Sequence, residues 1–184
     1  MSVGIANGAH PAPAPAPTTG VLPDVLRATM RQHAAGVAVI TTRTEHGDEP
    51  VGFCATSLNS VTLDPPTVSF AVATGSTSGA AWLTAAHGIV HLLRSDQTAV
   101  ASAFARTGPE KFAGSMAWRR GPHGAPLLDG VLAWMVVSTR IRLVVGDHLL
   151  VLAEVQECVV EPGGGPLIYC DGRFHGLSGL FDGS

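Results

Sequence analysis

Small hydroxyl side chains at one predicted helix start could hold a phosphate group. Ser76, Thr77 and Ser78, followed by Gly79, open a short helix that is predicted to run to Ala86. Hydroxyls and free amides at a helix start attract phosphate, and the positive end of the helix dipole adds to that attraction. The same residue types also form the ordinary N-cap of a helix. The sequence alone favours the cap, and the phosphate site is the alternative.

A second polar segment, residues 52–66, could approach a flat ring. It leaves a predicted strand through Cys54, Ala55, Thr56 and Ser57 and ends in a Pro-Pro turn. Because these side chains are small, the main chain could come close to a planar ligand. The alternative is a polar loop that only leads into the turn.

Two histidine patterns have simpler structural explanations. His87 and His91 have the spacing of metal ligands on a helix, but the intervening Gly-Ile-Val favours a strand, so no metal site is predicted. Gly146-Asp147 suits a two-residue hairpin turn, which would leave His148 at the start of a strand. The sequence also lacks the glycine-rich dinucleotide motif, the P-loop and the G-x-S-x-G nucleophile motif.

The elements that must position these residues are mostly strands. β-Branched runs and turn residues predict strands at residues 37–44, 51–55, 67–74, 88–93 and 167–170, and a long hairpin within 131–159. In that hairpin Val137, Thr139, Ile141 and Leu143 alternate with polar residues, as in a half-buried strand. Short helices are predicted at 22–33, at 76–86 and from Asp96 onward. Such hairpins indicate an antiparallel barrel rather than a parallel α/β sheet.

Composition limits the class of protein. The 184 residues are 46% hydrophobic and 14% charged, with a formal net charge of −3, which argues against a charge-driven disordered protein or a basic nucleic-acid-binding protein. No apolar run approaches the roughly 20 residues needed to span a bilayer, so no membrane segment is predicted. Residues 1–20, rich in Pro and Ala, are predicted to be a disordered tail, and residues 21–184 one domain. The sparse charge favours burial against a second subunit. The three cysteines are far apart, and no export signal is recognised, so reduced thiols in the cytoplasm are expected.

Residues 52–66 resemble the flavin site of the flavin reductase family, whose fold is a Greek-key antiparallel barrel called the FMN-binding split barrel. That family's pattern is G-x-T-A-x-S-x-x-S-V-S-x-D-P-P; here Cys54 replaces a common Thr and Thr62 a common Ser. The resemblance extends from Leu26 to Leu177 and includes G-V-x-V-I-T-T at 36–42 and G-D-H at 146–148. Its members include the short-chain reductase components of two-component flavin-dependent monooxygenases.

The resemblance implies a set of flavin-binding residues: Cys54, Ala55, Thr56, Ser57, Ser60, Ser76, Thr77, Ser78, Phe112, Arg173 and Phe174. Within this set, residues 55–57 would line the isoalloxazine ring and the ribityl chain, and residues 76–78 would hold the phosphate. Phe112 would lie near the far end of the flavin. Phe174 stands where Tyr is commoner and could equally be a core residue.

The resemblance also implies the reaction and the partners. Gly146, Asp147 and His148 would lie at the nicotinamide site, where His148, the one residue assigned to catalysis, orients the carboxamide or the ring. Hydride would move from NADH, or less favourably NADPH, to free FMN or FAD, and the reduced flavin would serve a separate monooxygenase. A homodimer with flavin between its subunits is expected.

Two other functions remain open at this point. One is a non-catalytic FMN-binding protein on the same barrel. The other is a flavin oxidase of the pyridoxine-phosphate oxidase type, which would need an Arg/Lys cluster for the substrate phosphate. The whole chain has eleven Lys and Arg, and the G-D-H motif favours the reductase. The residues do not choose between FMN and FAD or between NADH and NADPH.

Overall fold

The computed structural model describes residues 20–44, 48–106, 108–113 and 117–177. Apart from Gly20, the predicted disordered tail lies outside the described residues, and so do residues 45–47 of the turn predicted after the first strand. In the described ranges, none of the helices combines the length and the hydropathy of a segment that crosses a membrane.

Strands dominate the described chain, and the prediction of a mainly β protein with short helices is confirmed. The helices are α1 Pro23–Met30, α2 Thr77–Trp82 and α3 Thr98–Ala105, and two 3₁₀ turns span Pro109–Phe112 and Pro122–Gly124. The strands are β1 Ala35–Gly36, β2 Ala38–Arg43, β3 Pro50–Ala55, β4 Asn59–Leu63, β5 Pro66–Ala73, β6 His87–Leu92, β7 Trp118–Arg120, β8 Pro126–Leu128, β9 Ala133–Val145, β10 His148–Val160, β11 Leu167–Cys170 and β12 Arg173–Gly176.

One seven-stranded antiparallel sheet carries the fold, in the order β3-β2-β6-β9-β10-β5-β4. The predicted long hairpin is its centre: β9 and β10 are joined at Gly146, whose φ of 58° suits glycine. A three-stranded sheet (β1-β11-β12) and a two-stranded one (β7-β8) pack beside it.

The large sheet curls into a barrel. Phe53 on β3 and Phe70 on β5 have ring centroids 6.1 Å apart, although these strands are first and sixth in the sheet order. Within the described residues β3 forms no ladder with β4 or β5, so the barrel is split at that seam. The predicted antiparallel split barrel is therefore confirmed.

Two apolar clusters pack on opposite faces of β2 and β3. Inside the barrel, the fully buried Trp82 meets Phe70 edge to face at 4.8 Å. Outside it, Phe104 of α3 lies against Gly52, where an added Cβ would come within 2.6 Å of the Phe104 ring. Position 52 therefore has no room for a side chain, which fixes how closely α3 approaches β3.

The structure corrects three expectations. The predicted half-burial of β9 is wrong at its far end, where Ile141 and Leu143 are 55% and 42% exposed, because β6 pairs only with the first part of β9. Residues 59–63 were expected to be a polar segment but form edge strand β4, paired with β5. The helix predicted to run to Ala86 ends at Trp82.

Candidate active site

A cavity of about 180 Å³ lies between the free edge of β3 and the start of α2, and we call it the β3 cavity. Its lining includes Ser76, Thr77, Ser78 and Phe112, four residues that the sequence analysis grouped in one site. Lys111 lies beside them in the same lining. These side chains come from α2 and from the 3₁₀ turn after α3, so the fold brings distant segments together.

Of the three hydroxyls of residues 76–78 in this cavity, two form hydrogen bonds to the main chain. Ser76 Oγ accepts the N–H of Gly79 at 2.9 Å and donates to the carbonyl of Ala73, so the N-cap interpretation is confirmed for this residue. Ser78 is buried and its Oγ donates to the carbonyl of Gly52 at 2.9 Å. Thr77 is exposed, and its hydroxyl bonds to none of the described residues.

Lys111 is the site residue that sequence reasoning missed. Its Nζ donates to the carbonyl of Gly52 at 3.0 Å, and burial of the half-buried side chain lowers the pKa of the amine. Among the described residues that line the β3 cavity, Lys111 alone is cationic. Its position next to Phe112, already assigned to the site, was the available signal.

Thr56 and Ser57 line a different cavity of about 560 Å³ beside α1, the α1 cavity. Ser57 Oγ accepts the N–H of Ala71 at 3.0 Å and is 3.3 Å from the Ala71 carbonyl, so this hydroxyl ties the segment after β3 to β5. Thr56 is exposed and leaves its hydroxyl accessible. Arg27, Arg31 and Asp171 also line this cavity, and Arg27 is paired with Asp24.

Three further residues predicted to line the flavin site, Cys54, Ala55 and Ser60, line neither the β3 cavity nor the α1 cavity. Ala55 is buried inside the barrel. The Cys54 thiol packs in the cluster around α3, and burial raises its pKa to about 11. Ser60 is exposed on β4.

The predicted Gly146-Asp147 turn is present and is fixed near the start of α2. The carbonyl of Asp147 accepts both the N–H and the hydroxyl of Thr74, at 2.9 and 3.0 Å. His148 Nδ1 lies 2.7 Å from Asp147 Oδ1, and this hydrogen bond lowers the pKa of the carboxyl. Both side chains are exposed, so the imidazole is oriented yet open to a ligand.

Arg173 and Phe174 lie on β12, in the small sheet. Phe174 packs against Tyr169 with ring centroids 5.2 Å apart and joins the cluster around α3, in agreement with the core alternative. Arg173 is exposed and lines neither of these cavities. The structure therefore does not bring these two residues to the β3 cavity.

His91 lies on strand β6, as does His87, and is a structural residue. It is fully buried, and its Nε2 accepts the N–H of Leu128 at 3.1 Å while Nδ1 donates to the carbonyl of Val39 at 3.0 Å. Both ring nitrogens are thus used by the main chain of neighbouring elements. Burial lowers the pKa of His91 to about 4, which keeps the ring neutral.

Comparisons with known proteins agree on one family. The model of the flavin reductase like domain matches residues 30–178. An NADH:FMN oxidoreductase of Rhodococcus erythropolis is 38% identical over 162 residues, which cover 86% of this chain and 83% of that protein. The reductase subunit HsaB of a flavin-dependent monooxygenase of Mycobacterium tuberculosis is 32% identical over 159 residues, covering 84% and 82%.

A solved structure of similar shape carries ligands. It is the NADH:FAD oxidoreductase SgcE6 of Streptomyces globisporus C-1027 in complex with NAD and FAD fragments. It superposes with a TM-score of 0.78 at 28% identity, over 85% of this chain and 93% of that chain.

Proposed function

Because the chain belongs to the flavin reductase family, we propose that it transfers hydride from NADH or NADPH to free FMN or FAD. The reduced flavin leaves to serve a separate monooxygenase; in support, the HsaB relative is named as the reductase subunit of a flavin-dependent monooxygenase. The family match over residues 30–178 carries this conclusion, since it contains the β3 cavity and the Gly146–His148 turn.

In this proposal the β3 cavity holds the flavin phosphate. The ammonium of Lys111 has one main-chain partner, the Gly52 carbonyl, and keeps donors for a second. Partial burial makes its charge costly, and a phosphate dianion would offset that cost. The exposed hydroxyl of Thr77, in the same lining, adds a neutral donor. Glu49 also lines this cavity, but it is exposed to solvent, so the half-buried ammonium of Lys111 and the hydroxyl of Thr77 are the groups that would hold an anion.

The isoalloxazine ring lies against the main chain of residues 55–57. Ser57 does not contact the ring through its hydroxyl, because that group bridges the N–H and the carbonyl of Ala71. The side chain instead holds the segment still, so that its amides and the hydroxyl of Thr56 face the ligand at a fixed position. Small residues at 55 and 56 let a planar ring approach closely.

His148 positions the nicotinamide. The Asp147 carboxylate accepts Nδ1–H, which leaves the Nε2 lone pair to accept a hydrogen bond from the carboxamide. In the reaction the hydride passes from C4 of the nicotinamide to N5 of the flavin with both electrons. The protein's tasks are to orient the two rings and exclude water, and no side-chain base is required.

We also propose that the protein is a homodimer, because its exposed surface is unusually apolar. Ile141 and Leu143 lie exposed on β9, and Leu63 on β4 is 86% exposed. Helix α1 buries none of its residues, so Leu26 and Met30 also face outward. Exposed apolar patches of this kind mark subunit interfaces.

Light scattering tests the dimer. The Leu143→Glu variant should be a monomer, whereas Val160→Glu, which changes a still more exposed residue at the other end of the hairpin, should remain a dimer. A wild-type monomer at micromolar concentration would contradict the proposal.

We place this enzyme in the cytoplasm. All three cysteines lie in the described part of the chain and are free thiols, which fits a reducing compartment. Secretion into an oxidising compartment with a disulfide between two of them would contradict this placement.

The reaction itself is tested by mixing the purified protein with NADH or NADPH and with FMN or FAD. We expect the absorbance of NADH or NADPH to fall only when flavin is present. Absence of turnover with every combination would reject the assignment, and flavin binding without turnover would favour the non-catalytic alternative.

A further inference from the structure

Lys111 is the only lysine in the sequence, since the other ten of its eleven Lys and Arg residues are arginines. An arginine side chain stays protonated and does not attack carbonyl groups, whereas a lysine amine attacks them when it is neutral. Lys111 is therefore the one basic side chain of this protein that can accept an acyl group. It lies in the β3 cavity, where the proposed function places a phosphate.

The main chain of β3 fixes the position of this amine. Nζ of Lys111 donates to the carbonyl of Gly52 at 3.0 Å, and the hydroxyl of Ser78 donates to the same carbonyl at 2.9 Å. The ring of Phe104 fills the space beside Gly52, so this part of β3 is packed in place. Partial burial lowers the pKa of Lys111, which increases the neutral fraction of the amine at neutral pH. A neutral amine bonded to the carbonyl through one N–H keeps its lone pair for a reaction.

The size and lining of the β3 cavity select the acyl donor. Its volume of about 180 Å³ is below the roughly 300–1,000 Å³ of pockets for drug-sized ligands, so a small acyl phosphate suits it and a coenzyme A thioester does not. The exposed hydroxyl of Thr77 lies in the same lining and can donate to the phosphate. Glu49 is the carboxylate in the lining, and its exposure to solvent screens its repulsion of an anion.

We propose that small acyl phosphates bound in the β3 cavity acylate Lys111 and that this modification weakens flavin binding. The inference rests on the proposed function, in which this cavity binds a phosphate. Nζ attacks the acyl carbon, and the N–C bond forms as the bond between that carbon and the phosphate oxygen breaks. Inorganic phosphate leaves with the proton of the amine, and nothing is oxidised or reduced. The amide that remains has no charge, so the cavity loses the cation that would hold the flavin phosphate.

Acetyl phosphate is the probe, and the reaction is followed without flavin or nicotinamide. Mass spectrometry of the tryptic peptide 107–119 reports the modification, because trypsin does not cleave after an acetylated lysine. The rate of acetylation at Lys111 should saturate with the concentration of acetyl phosphate and should fall when inorganic phosphate is added. Thr77→Val should slow it about tenfold, the size expected for a hydrogen bond to a charged group. Thr84→Val is the matched control, because Thr84 is also exposed but does not line this cavity.

Fluorescence titrations then measure what the modification does to flavin binding. Acetylation of the wild type should weaken FMN binding about tenfold and leave the binding of riboflavin, which lacks the phosphate, unchanged. Lys111→Arg keeps the charge but cannot be acetylated at neutral pH, so acetyl phosphate should leave its FMN binding unchanged.

The outcomes separate this proposal from the proposed function. Acetylation of Lys111 no faster than that of free Nα-acetyl-lysine in the same solution overturns the proposal, and so does a rate that inorganic phosphate does not lower. Equal slowing in Thr77→Val and Thr84→Val, or unchanged FMN binding after acetylation, also overturns it. A protein that is acetylated as expected but does not oxidise NADH with any flavin contradicts the proposed function alone.

Discussion

Stability should fall in mild acid because of one buried histidine. The His91 ring is locked in its neutral form by Val39 and Leu128, and its pKa is lowered from 6.5 to about 4. Since the unfolded chain binds this proton below pH 6.5 and the folded chain does so only near pH 4, the free energy of unfolding decreases as the pH falls through that window. Above pH 6.5 the group contributes no pH dependence.

The magnitude follows from linkage. One pKa unit corresponds to about 1.4 kcal/mol, so the full shift amounts to about 3 kcal/mol. Between about pH 7 and about pH 5 the free energy of unfolding falls by about 2 kcal/mol of this total, because His91 titrates in both the folded and the unfolded chain. Replacing His91 with Leu removes the titration and leaves two main-chain groups unpaired, which should cost about 3 kcal/mol at neutral pH.

Urea unfolding of the wild type and of His91→Leu at a series of pH values checks the reasoning. The wild type should lose about 2 kcal/mol more than the variant between about pH 7 and about pH 5. His175→Gln, at an exposed histidine, is the control and should follow the wild type. A constant difference between wild type and His91→Leu across this range would refute the locked neutral ring.

Three further outcomes test the site. Lys111→Met should weaken FMN binding about tenfold and leave riboflavin, which lacks the phosphate, unchanged in fluorescence titrations; an equal loss for both ligands would remove Lys111 from the phosphate. His148→Ala should raise the KM for NADH more than it weakens flavin binding, and equal effects in steady-state kinetics would show that its role is misplaced. Iodoacetamide should label the exposed Cys158 at neutral pH and spare Cys54, whose pKa is about 11, as peptide mass spectrometry can show; labelling of Cys54 at the same rate would contradict its burial.

The sequence predicted the elements whose signals are local. The β9–β10 hairpin has β-branched runs on both sides of Gly146-Asp147, and the structure has it there. Strand β4 was missed because its first residues, Asn59 and Ser60, are polar, and only pairing with β5 makes them a strand. The exposed apolar end of β9 was also missed, since alternation in sequence does not reveal where a neighbouring strand stops.

The sequence predicted which residues belong to the candidate site, but it did not predict which atoms those residues contact. Lys111 reaches a carbonyl 59 positions away along the chain, and no local pattern encodes that distance. The hydroxyls of Ser57 and Ser78 were assigned to a ligand, yet both bond to main-chain groups of other strands. Whether a serine serves a ligand or the fold depends on which unpaired main-chain atom lies nearby, and that is a tertiary property.

The hydroxyls of Ser57 and Ser78, which are hydrogen-bonded to the main chain, explain why the site can act without an acid–base pair. Ser57 fixes the segment after β3, and Ser78 fixes β3 to α2, so the amides and the one ammonium group of the site are held in place by the protein's own hydrogen bonds. Hydride transfer gains most from such rigid positioning of two rings, because the electrons move without a protein-bound intermediate. The reactivity then resides in the two small molecules, and the chain determines where they meet.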